Sequence, residues 1–182
     1  MTNTKALQAL HSFDVITFLS IVKWNTRRRI RLIANVVSTS ADGWFYLFIP
    51  VLIALISVQL GWVVFVTLVT GFAIERPTYF LLKNSFKRNR PPNIIPGFES
   101  VITASDEFSF PSGHTSGVFL VVTVLVLLMP VGMFGLYLYG WAVAVALSRI
   151  ILGVHFPMDT VAGALLGSGI AWCAMQVVGV VL

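Results

Sequence analysis

The C-terminal part of the chain carries few side chains that could act as acid, base or nucleophile. From position 113 onward, the charged and imidazole residues are His114, Arg149, His155 and Asp159. The sequence around them is apolar, and such groups are costly in or beside hydrocarbon unless they are paired or face an aqueous pocket. We therefore treat them as functional candidates. Interhelical hydrogen bonding is the structural alternative for any one histidine.

His155 and Asp159 have the spacing of one helical turn. The carboxylate is therefore expected to accept a hydrogen bond from one imidazole nitrogen. The other nitrogen would be free to attack, which is the arrangement of a covalent nucleophile. Pro157 suits the first turn of a helix, so we place the pair where the last apolar helix begins. Metal sites and structural pairs have the same spacing, so this pair alone does not establish a catalytic role.

A second element, Pro111-Ser112-Gly113-His114, stands immediately before an apolar segment. Ser112 is a favourable N-cap, and Gly113 permits close approach of the backbone, so the first amides of the helix would form an anion site. An ordinary capped helix start has the same residues. His114 is not needed for capping, however, and is placed to protonate a leaving alkoxide.

Basic residues form the third element. Lys83 and Arg90 precede the second element, and Arg149 comes from the other polar cluster. Guanidinium groups bind phosphate oxygens in a bidentate way, and lysine adds a point charge. Three such cations would neutralise a phosphoryl group in its transition state, a task that metal ions perform in other phosphotransferases. For Lys87 and Arg88 we expect only interfacial anchoring to lipid headgroups.

The composition places these elements in a bilayer. Of the 182 residues, 57% are hydrophobic and 10% are charged, with a mean hydropathy of +0.90, which excludes an ordinary soluble domain. The net charge of +5 comes from Lys and Arg that flank apolar runs. We therefore expect a lipid bilayer and membrane phosphates as partners, and no nucleic acid. The single cysteine, Cys173, excludes an intrachain disulfide and a Cys-based metal site.

Hydropathy predicts an all-α, polytopic transmembrane helix bundle of five or six spans, forming a single domain over residues 1–182. The stretch 7–24 is either a first span or an amphipathic helix in the interface, because His11 and Asp14 interrupt it. Short turns are expected at Gly61 and near Pro130, while the prolines of the polar connection 83–111 argue against a continuous helix there. The predicted spans are 43–59, 60–82, 113–129, 134–151 and 158–182.

The number of membrane crossings between the two polar segments, 83–111 and 148–159, predicts that they lie at the same membrane face. The chain leaves the loop 83–111, crosses at Gly113, turns, and crosses back to reach 148–159. The loop and the His155 cluster are therefore expected at one membrane face, with the active site between them.

The three elements together resemble the tripartite signature of the type 2 phosphatidic acid phosphatase (PAP2) superfamily. The chain contains Lys83-x6-Arg90-Pro91, then Pro111-Ser112-Gly113-His114, then Ser148-Arg149-x5-His155-x3-Asp159, in that order. The resemblance covers residues 83–159, which hold the catalytic motifs. Residues 1–42 form an N-terminal region that only hydropathy describes.

The resemblance implies a division of roles among these residues. His155 would attack phosphorus to form a phosphohistidine, Asp159 would orient it, and His114 would act as general acid. No metal or other cofactor is implied, and the acidic clusters expected for magnesium are missing from the sequence. The phosphate would be held by Lys83, Arg90, Ser112, Gly113 and Arg149.

Several readings of the substrate and activity remain open. A compact lipid phosphatase could act on undecaprenyl diphosphate, phosphatidylglycerophosphate or phosphatidate, and the small size favours a polyprenyl diphosphate by analogy. A vanadium-dependent haloperoxidase shares the phosphate pocket but is soluble. A non-enzymatic phosphate-lipid binding or transport protein is the competing class, although binding alone needs neither the nucleophile His155 nor the acid His114.

The side of the membrane is a further expectation. The arginine cluster at 27–31 precedes the first predicted crossing pair, so it lies on the same side as the active site and favours the cytoplasm by the positive-inside rule. The family resemblance favours the extracytoplasmic face of a bacterial cytoplasmic membrane, and this is the placement that we expect.

Overall fold

The computed structural model describes residues 2–23, 27–129 and 132–179, and within them the chain is helical without strands. This confirms the predicted all-α class. Some positions in the predicted spans and turns lie outside the described residues, namely Trp24, Pro130 and positions 180–182. The helices are α1 (Thr2–Val22), α2 (Arg28–Thr39), α3 (Phe48–Ala54), α4 (Val58–Phe86), α5 (Pro91–Ile94), α6 (Gly113–Leu128), α7 (Phe134–Ile151) and α8 (Pro157–Val178), with a 3-10 turn (Gly43–Leu47) before α3.

The described helices include clear membrane spans. The segment Val58–Ile94, which joins α4 and α5, is long and apolar enough to cross a bilayer, and so are α7 and α8. Helix α2 and the segment Gly43–Ala54 meet at a bend of 41° and form a fourth crossing if the pair is one span. Ser12–Val22 and α6 are apolar but shorter. The protein is therefore an integral membrane protein, while the number of five or six spans stays a prediction.

Helix α6 lies in the core of the bundle and packs most closely against α8. A methyl group at Gly167 would lie 2.1 Å from the carbonyl oxygen of Ser116, and one at Gly163 would lie 2.6 Å from that of Ser112. Small residues at this spacing let two membrane helices approach with their backbones almost in contact. The starts of the two helices meet as a result, and the amide of Ser112 donates to the carbonyl of Asp159 at 2.9 Å.

The predicted span 43–59 is wrong as a continuous helix. α3 ends at Ala54, and α4 begins after Ser57, whose hydroxyl accepts a hydrogen bond from the amide of Leu60 at 3.3 Å. A Cβ at Gly61 would lie within 2.7 Å of the Ala54 backbone. The chain therefore reverses before α4, and the turn predicted at Gly61 lies within that helix.

The N-terminal helix α1 packs against the end of the bundle that carries the predicted site. Phe18 is fully buried. The centroid of its ring lies 5.3 Å from that of Phe98 and 5.2 Å from that of Phe156. Asp14 is also buried, and its carboxylate accepts from the amide of Met158 at 3.0 Å. Asp14, which interrupts the apolar pattern of the N-terminal stretch, therefore forms a contact within the protein.

The connection from α4 to α6 is largely irregular, as its prolines predict, and holds only the short α5. It folds over the ends of α7 and α8, where the amide of Val101 donates to the carbonyl of Leu152 at 2.9 Å. The expectation that the loop and the His155 cluster share one end of the bundle is confirmed.

Candidate active site

His155 lies just before α8, at the bottom of a polar depression. Phe156 is the N-cap, Pro157 begins the helix as predicted, and Asp159 follows in its first turn. His155 is only 2% exposed. Burial lowers its pKa to about 4, and the charges of Arg90 and Arg149 act in the same direction, while Asp159 opposes them. The imidazole is therefore neutral at physiological pH, which is the nucleophilic form.

Asp159 is near His155 but does not reach it. The distance from Nδ1 of His155 to Oδ2 of Asp159 is 3.7 Å, too long for a hydrogen bond, and this Nδ1 has no partner among the described residues. Oδ2 instead accepts from the amide of Phe156 at 2.8 Å, and Oδ1 accepts from Arg88 at 2.8 Å. The predicted hydrogen bond is therefore absent in this structure, and the carboxylate is only a close neighbour of the neutral imidazole.

Arg88 corrects a sequence-based expectation. Its guanidinium donates to Asp159 and to Asp14, and lies 4.5 Å over the ring of Phe156. It therefore joins α1 to the start of α8 and is not an interfacial anchor. Lys87, by contrast, is exposed, as expected for a residue at the interface.

The start of α6 is where the sequence predicts an anion site. Ser112 is the N-cap residue, but its side chain caps no backbone amide; its hydroxyl accepts from the hydroxyl of Thr115 at 3.0 Å. The expectation of a Ser112 side-chain cap is wrong, because the buried hydroxyl bonds with Thr115 instead. The first amides of α6 are thus free of a side-chain cap, and Gly113 lines the cavity described below.

His114 is paired with a residue that the sequence analysis did not select. Its Nε2 lies 3.1 Å from Oδ1 of Asp42, which precedes the 3-10 turn. The side chain is 32% exposed, so it is open to a ligand. A carboxylate at this distance can hold the ring in one orientation.

The two cations of the first motif converge on one carboxylate. Lys83 and Arg90 both bind the side chain of Asp106, and Arg90 donates further to the carbonyls of Asp106 at 2.9 Å and Val154 at 2.6 Å. Tyr79 also donates to Asp106. Burial alone would raise the pKa of Asp106, but the hydrogen bonds from Lys83 and Tyr79 and the charges of Lys83 and Arg90 lower it to about 2. Asp106 is thus an ionised ligand of the predicted phosphate-binding cations.

Arg149, in the last turn of α7, is the third cation. Its Nη1 donates to the hydroxyl of Ser38 in α2 at 2.6 Å, and its Nε is buried without a partner among the described residues. A buried N–H without an acceptor is costly. Arg149 also lines the same cavity as His114 and His155.

Some of these residues line a cavity of about 550 Å³, whereas Lys83, Arg90 and Ser112 are not among its lining residues. His114, Arg149 and His155 line its polar end, together with Asp106. Farther along α4 the lining becomes apolar, with Phe72, Leu68 and Phe65 facing Leu47 and Pro50. The cavity therefore combines an anion-binding end with a channel that suits a hydrocarbon chain.

The sequence analysis selected His114, Arg149 and His155, which line the polar end of the cavity, but missed Asp106, which also lines it, and Asp42, which lies beside His114. Asp42 and Asp106 lie in polar turns, where acidic residues are common. Glu75 and Arg76 could have been found from the sequence, because they are charged residues inside the predicted span 60–82. A charge in hydrocarbon is costly, so such a residue is a candidate for function. Tyr79 gave no signal. Among the described residues, no group of three or more His, Cys, Asp or Glu side chains could hold a metal ion.

Comparison with known proteins agrees with the motifs. The sequence profile of the PAP2 superfamily matches residues 59–181. An undecaprenyl-diphosphatase of Sulfolobus acidocaldarius is 33% identical over 141 residues, which cover 78% of this chain and 68% of that protein. A lipid A 4'-phosphatase of Bacteroides thetaiotaomicron is 29% identical over 119 residues, which cover 63% of this chain and 53% of that protein.

Two solved structures share the fold. The crystal structure of Aquifex aeolicus LpxE has a TM-score of 0.74 at 21% identity, covering 89% of this chain and 94% of that chain. The PAP2-type phosphatidylglycerolphosphate phosphatase of Bacillus subtilis has a TM-score of 0.51 at 22% identity, covering 91% of this chain and 94% of that chain. The helical membrane fold and the named relatives define a lipid phosphatase. The chain belongs to the PAP2 superfamily.

Proposed function

We propose that the protein hydrolyses a phosphate monoester or diphosphate on a membrane lipid through a phosphohistidine at His155, without a metal ion. The observation that carries this proposal is the cavity in which His114, Arg149 and His155 meet at one end and apolar side chains line the other. Such a cavity fits a phosphate attached to a hydrocarbon chain. A soluble phosphoester would make no use of the apolar part.

In the first step, Nε2 of His155 forms a bond to phosphorus while the bond from phosphorus to the leaving oxygen breaks. Lys83, Arg90 and Arg149 neutralise the phosphoryl oxygens, and the first amides of α6, at Gly113, add to this stabilisation. His114 gives its proton to the leaving oxygen. A small movement of Asp159 toward Nδ1 would stabilise the imidazole as it becomes positively charged.

In the second step, water attacks the phosphohistidine and the P–N bond breaks. His114, now neutral, takes a proton from the attacking water, and inorganic phosphate leaves. Asp106 is displaced from Lys83 and Arg90 when the substrate phosphate enters, because the two anions bind the same cations.

The favoured substrate is undecaprenyl diphosphate, with phosphatidate and phosphatidylglycerophosphate as the other candidates. The similarity to an undecaprenyl-diphosphatase supports this choice. We place the protein in a bacterial cytoplasmic membrane with its site on the extracytoplasmic face. The family resemblance supports that face, while the exposed arginines at the start of α2 are the opposing observation.

The mechanism is tested with purified protein in detergent. Wild type should release phosphate from a lipid phosphate in EDTA, and His155→Ala should lower kcat/KM by at least about 1,000-fold while still binding lipid. A ³²P-labelled substrate, quenched in alkali to preserve phosphohistidine, should label the wild type but not His155→Ala. Glu107→Gln, an exposed change in the neighbouring loop, serves as the control. Undiminished turnover by His155→Ala would overturn the mechanism, and binding without any turnover in wild type would indicate a binding or transport protein.

A further inference from the structure

One charged pair in the spanning part of α4 has no role in the chemistry described so far. Glu75 is fully buried, binds the Nε of Arg76 and accepts a hydrogen bond from Ser116 of α6. A buried carboxylate bonded to a neighbouring helix has a structural use. Arg76 differs, because its side chain is 44% exposed and lines the cavity. A charge in a membrane span is costly unless it is paired or faces an aqueous pocket, and Arg76 meets both conditions.

Arg76 stands where the cavity changes from polar to apolar. One face of α4 presents Phe72 to the cavity, then Arg76, then Tyr79, and Lys83 follows one turn later. The guanidinium carbon of Arg76 lies 5.0 Å from the centre of the Tyr79 ring, and Nζ of Lys83 lies 4.5 Å from it. The two cations therefore contact the same aromatic ring, with Arg76 on the side of the hydrocarbon channel.

The guanidinium is held in a way that leaves its binding edge available. Glu75 engages Nε, and the two terminal nitrogens of Arg76 form no hydrogen bond with a described residue. A guanidinium with its orientation set in advance binds a phosphate group with two parallel hydrogen bonds.

From this placement we propose that Arg76 binds the second phosphate of a diphosphate lipid, the one that stays on the hydrocarbon chain. This rests on the proposed function, and it selects a diphosphate as the substrate class. His155 would attack the terminal phosphorus and the bridging P–O bond would break. The electron pair goes to the lipid monophosphate, whose new charge lies beside Arg76. A monophosphate lipid has no group at this position.

The roles of His114 and Arg76 then separate by substrate. A monophosphate leaves as an alkoxide, which needs the proton of His114. A lipid monophosphate is a far weaker base, with a second pKa of about 6, so it needs the proton less and gains more from a fixed cation.

The test compares farnesyl diphosphate with farnesyl monophosphate, which differ by one phosphate, in a single preparation of each variant. The ratio of the two kcat/KM values does not depend on the fraction of folded enzyme. Arg76→Gln should lower kcat/KM roughly 30-fold for the diphosphate, as expected for the loss of a charge-assisted bond, and less than about 3-fold for the monophosphate. Arg76→Lys should retain part of the activity on the diphosphate.

Two controls separate the possible outcomes. Glu75→Gln, which loosens the hold on the Arg76 guanidinium, should lower kcat/KM for the diphosphate more than for the monophosphate. Glu107→Gln, an exposed change outside the cavity lining, should leave both values unchanged. An equal loss on both substrates in Arg76→Gln would show that Arg76 is only structural and would overturn the proposal. Wild type that hydrolyses only the monophosphate refutes the second-phosphate site and leaves the lipid phosphatase intact. Wild type that hydrolyses neither contradicts the proposed function itself.

Discussion

Asp106 binds the two cations that hold the substrate phosphate in the proposed mechanism. Its carboxylate is bound by Lys83, Arg90 and Tyr79, and in that mechanism a phosphoryl group replaces it on the two cations. A resting site of this kind keeps two buried cations paired when no substrate is bound. It also makes substrate binding a competition between two anions.

Replacing Asp106 by Asn should therefore improve substrate binding. The amide keeps the size of the side chain but loses the charge, so the phosphate no longer displaces an anion, and KM should fall on the order of 10-fold. Steady-state kinetics of Asp106→Asn with a lipid phosphate measures this, beside Glu107→Gln as a matched loop control. A rise in KM would instead mean that Asp106 positions the cations for substrate.

His155 should titrate well below an ordinary histidine. With its pKa lowered to about 4 by burial, it takes up a proton only in strongly acidic solution. As the pH falls from 8 to 5 it stays neutral, whereas a histidine with the usual pKa of about 6.5 would become charged.

This titration can be followed directly, because the chain contains three histidines. Imidazole ¹⁵N NMR of the protein in detergent should show one ring that stays neutral to about pH 5, and His155→Asn should remove that signal. A midpoint at or above the usual histidine value for the assigned ring would contradict the assigned environment.

At the scale of helices, the contact between α6 and α8 sets the geometry of the site. The two helices carry His114 and Asp159 at their adjoining ends, and His155 directly precedes α8. The close approach at Gly163 and Gly167 determines how far apart these groups lie. A displacement of α8 along or away from α6 therefore changes the distance between nucleophile and acid.

A methyl group at Gly167 should disturb both stability and activity. Gly167→Ala must push α8 away from the carbonyl of Ser116, and such overpacking costs about 1–3 kcal/mol. Thermal unfolding in detergent should show a Tm lower by roughly 2–10 °C, together with reduced kcat. Gly169→Ala, in the same helix with nothing within 4 Å of its Cβ, should leave both unchanged. Equal behaviour of the two variants would mean that the contact is not tight.

At the scale of the whole molecule, the orientation in the membrane decides which pool of lipid reaches the site. Glu99 is exposed on the loop over the site, and Met133 is exposed in the connection before α7, at the other end of the bundle. Single cysteines at these positions, in a Cys173→Ser background, report the two faces separately.

An impermeant maleimide applied to intact cells should label Glu99→Cys at once and Met133→Cys only after permeabilisation. This follows from the proposed extracytoplasmic site. The reverse pattern would place the site in the cytoplasm, in agreement with the arginines at the start of α2. Activity of both variants must equal that of the Cys173→Ser parent for the result to count.

The sequence by itself determined the membrane character, the helical class and three residues at the polar end of the cavity, His114, Arg149 and His155. These follow from local information: the hydropathy of each segment, the position of Pro157 in a first turn, and the spacing within each motif. The helix predicted over 43–59 ends early, at Ala54, and the turn expected at Gly61 comes a few residues before it, because Ser57 caps α4 and Gly61 packs against Ala54. Hydropathy does not locate such a turn to the residue, because the run around it is apolar throughout.

Only the tertiary structure decided which partners the functional residues have. Asp106 on Lys83, Asp42 on His114 and Arg88 on Asp159 are contacts between residues distant in sequence, so they depend on how the helices pack. The spacing of His155 and Asp159 predicted a hydrogen bond, but the competing donors Arg88 and Phe156 hold the carboxylate 3.7 Å from the imidazole. A motif specifies which groups are present, whereas the packing of the bundle determines which of them are already bound to one another.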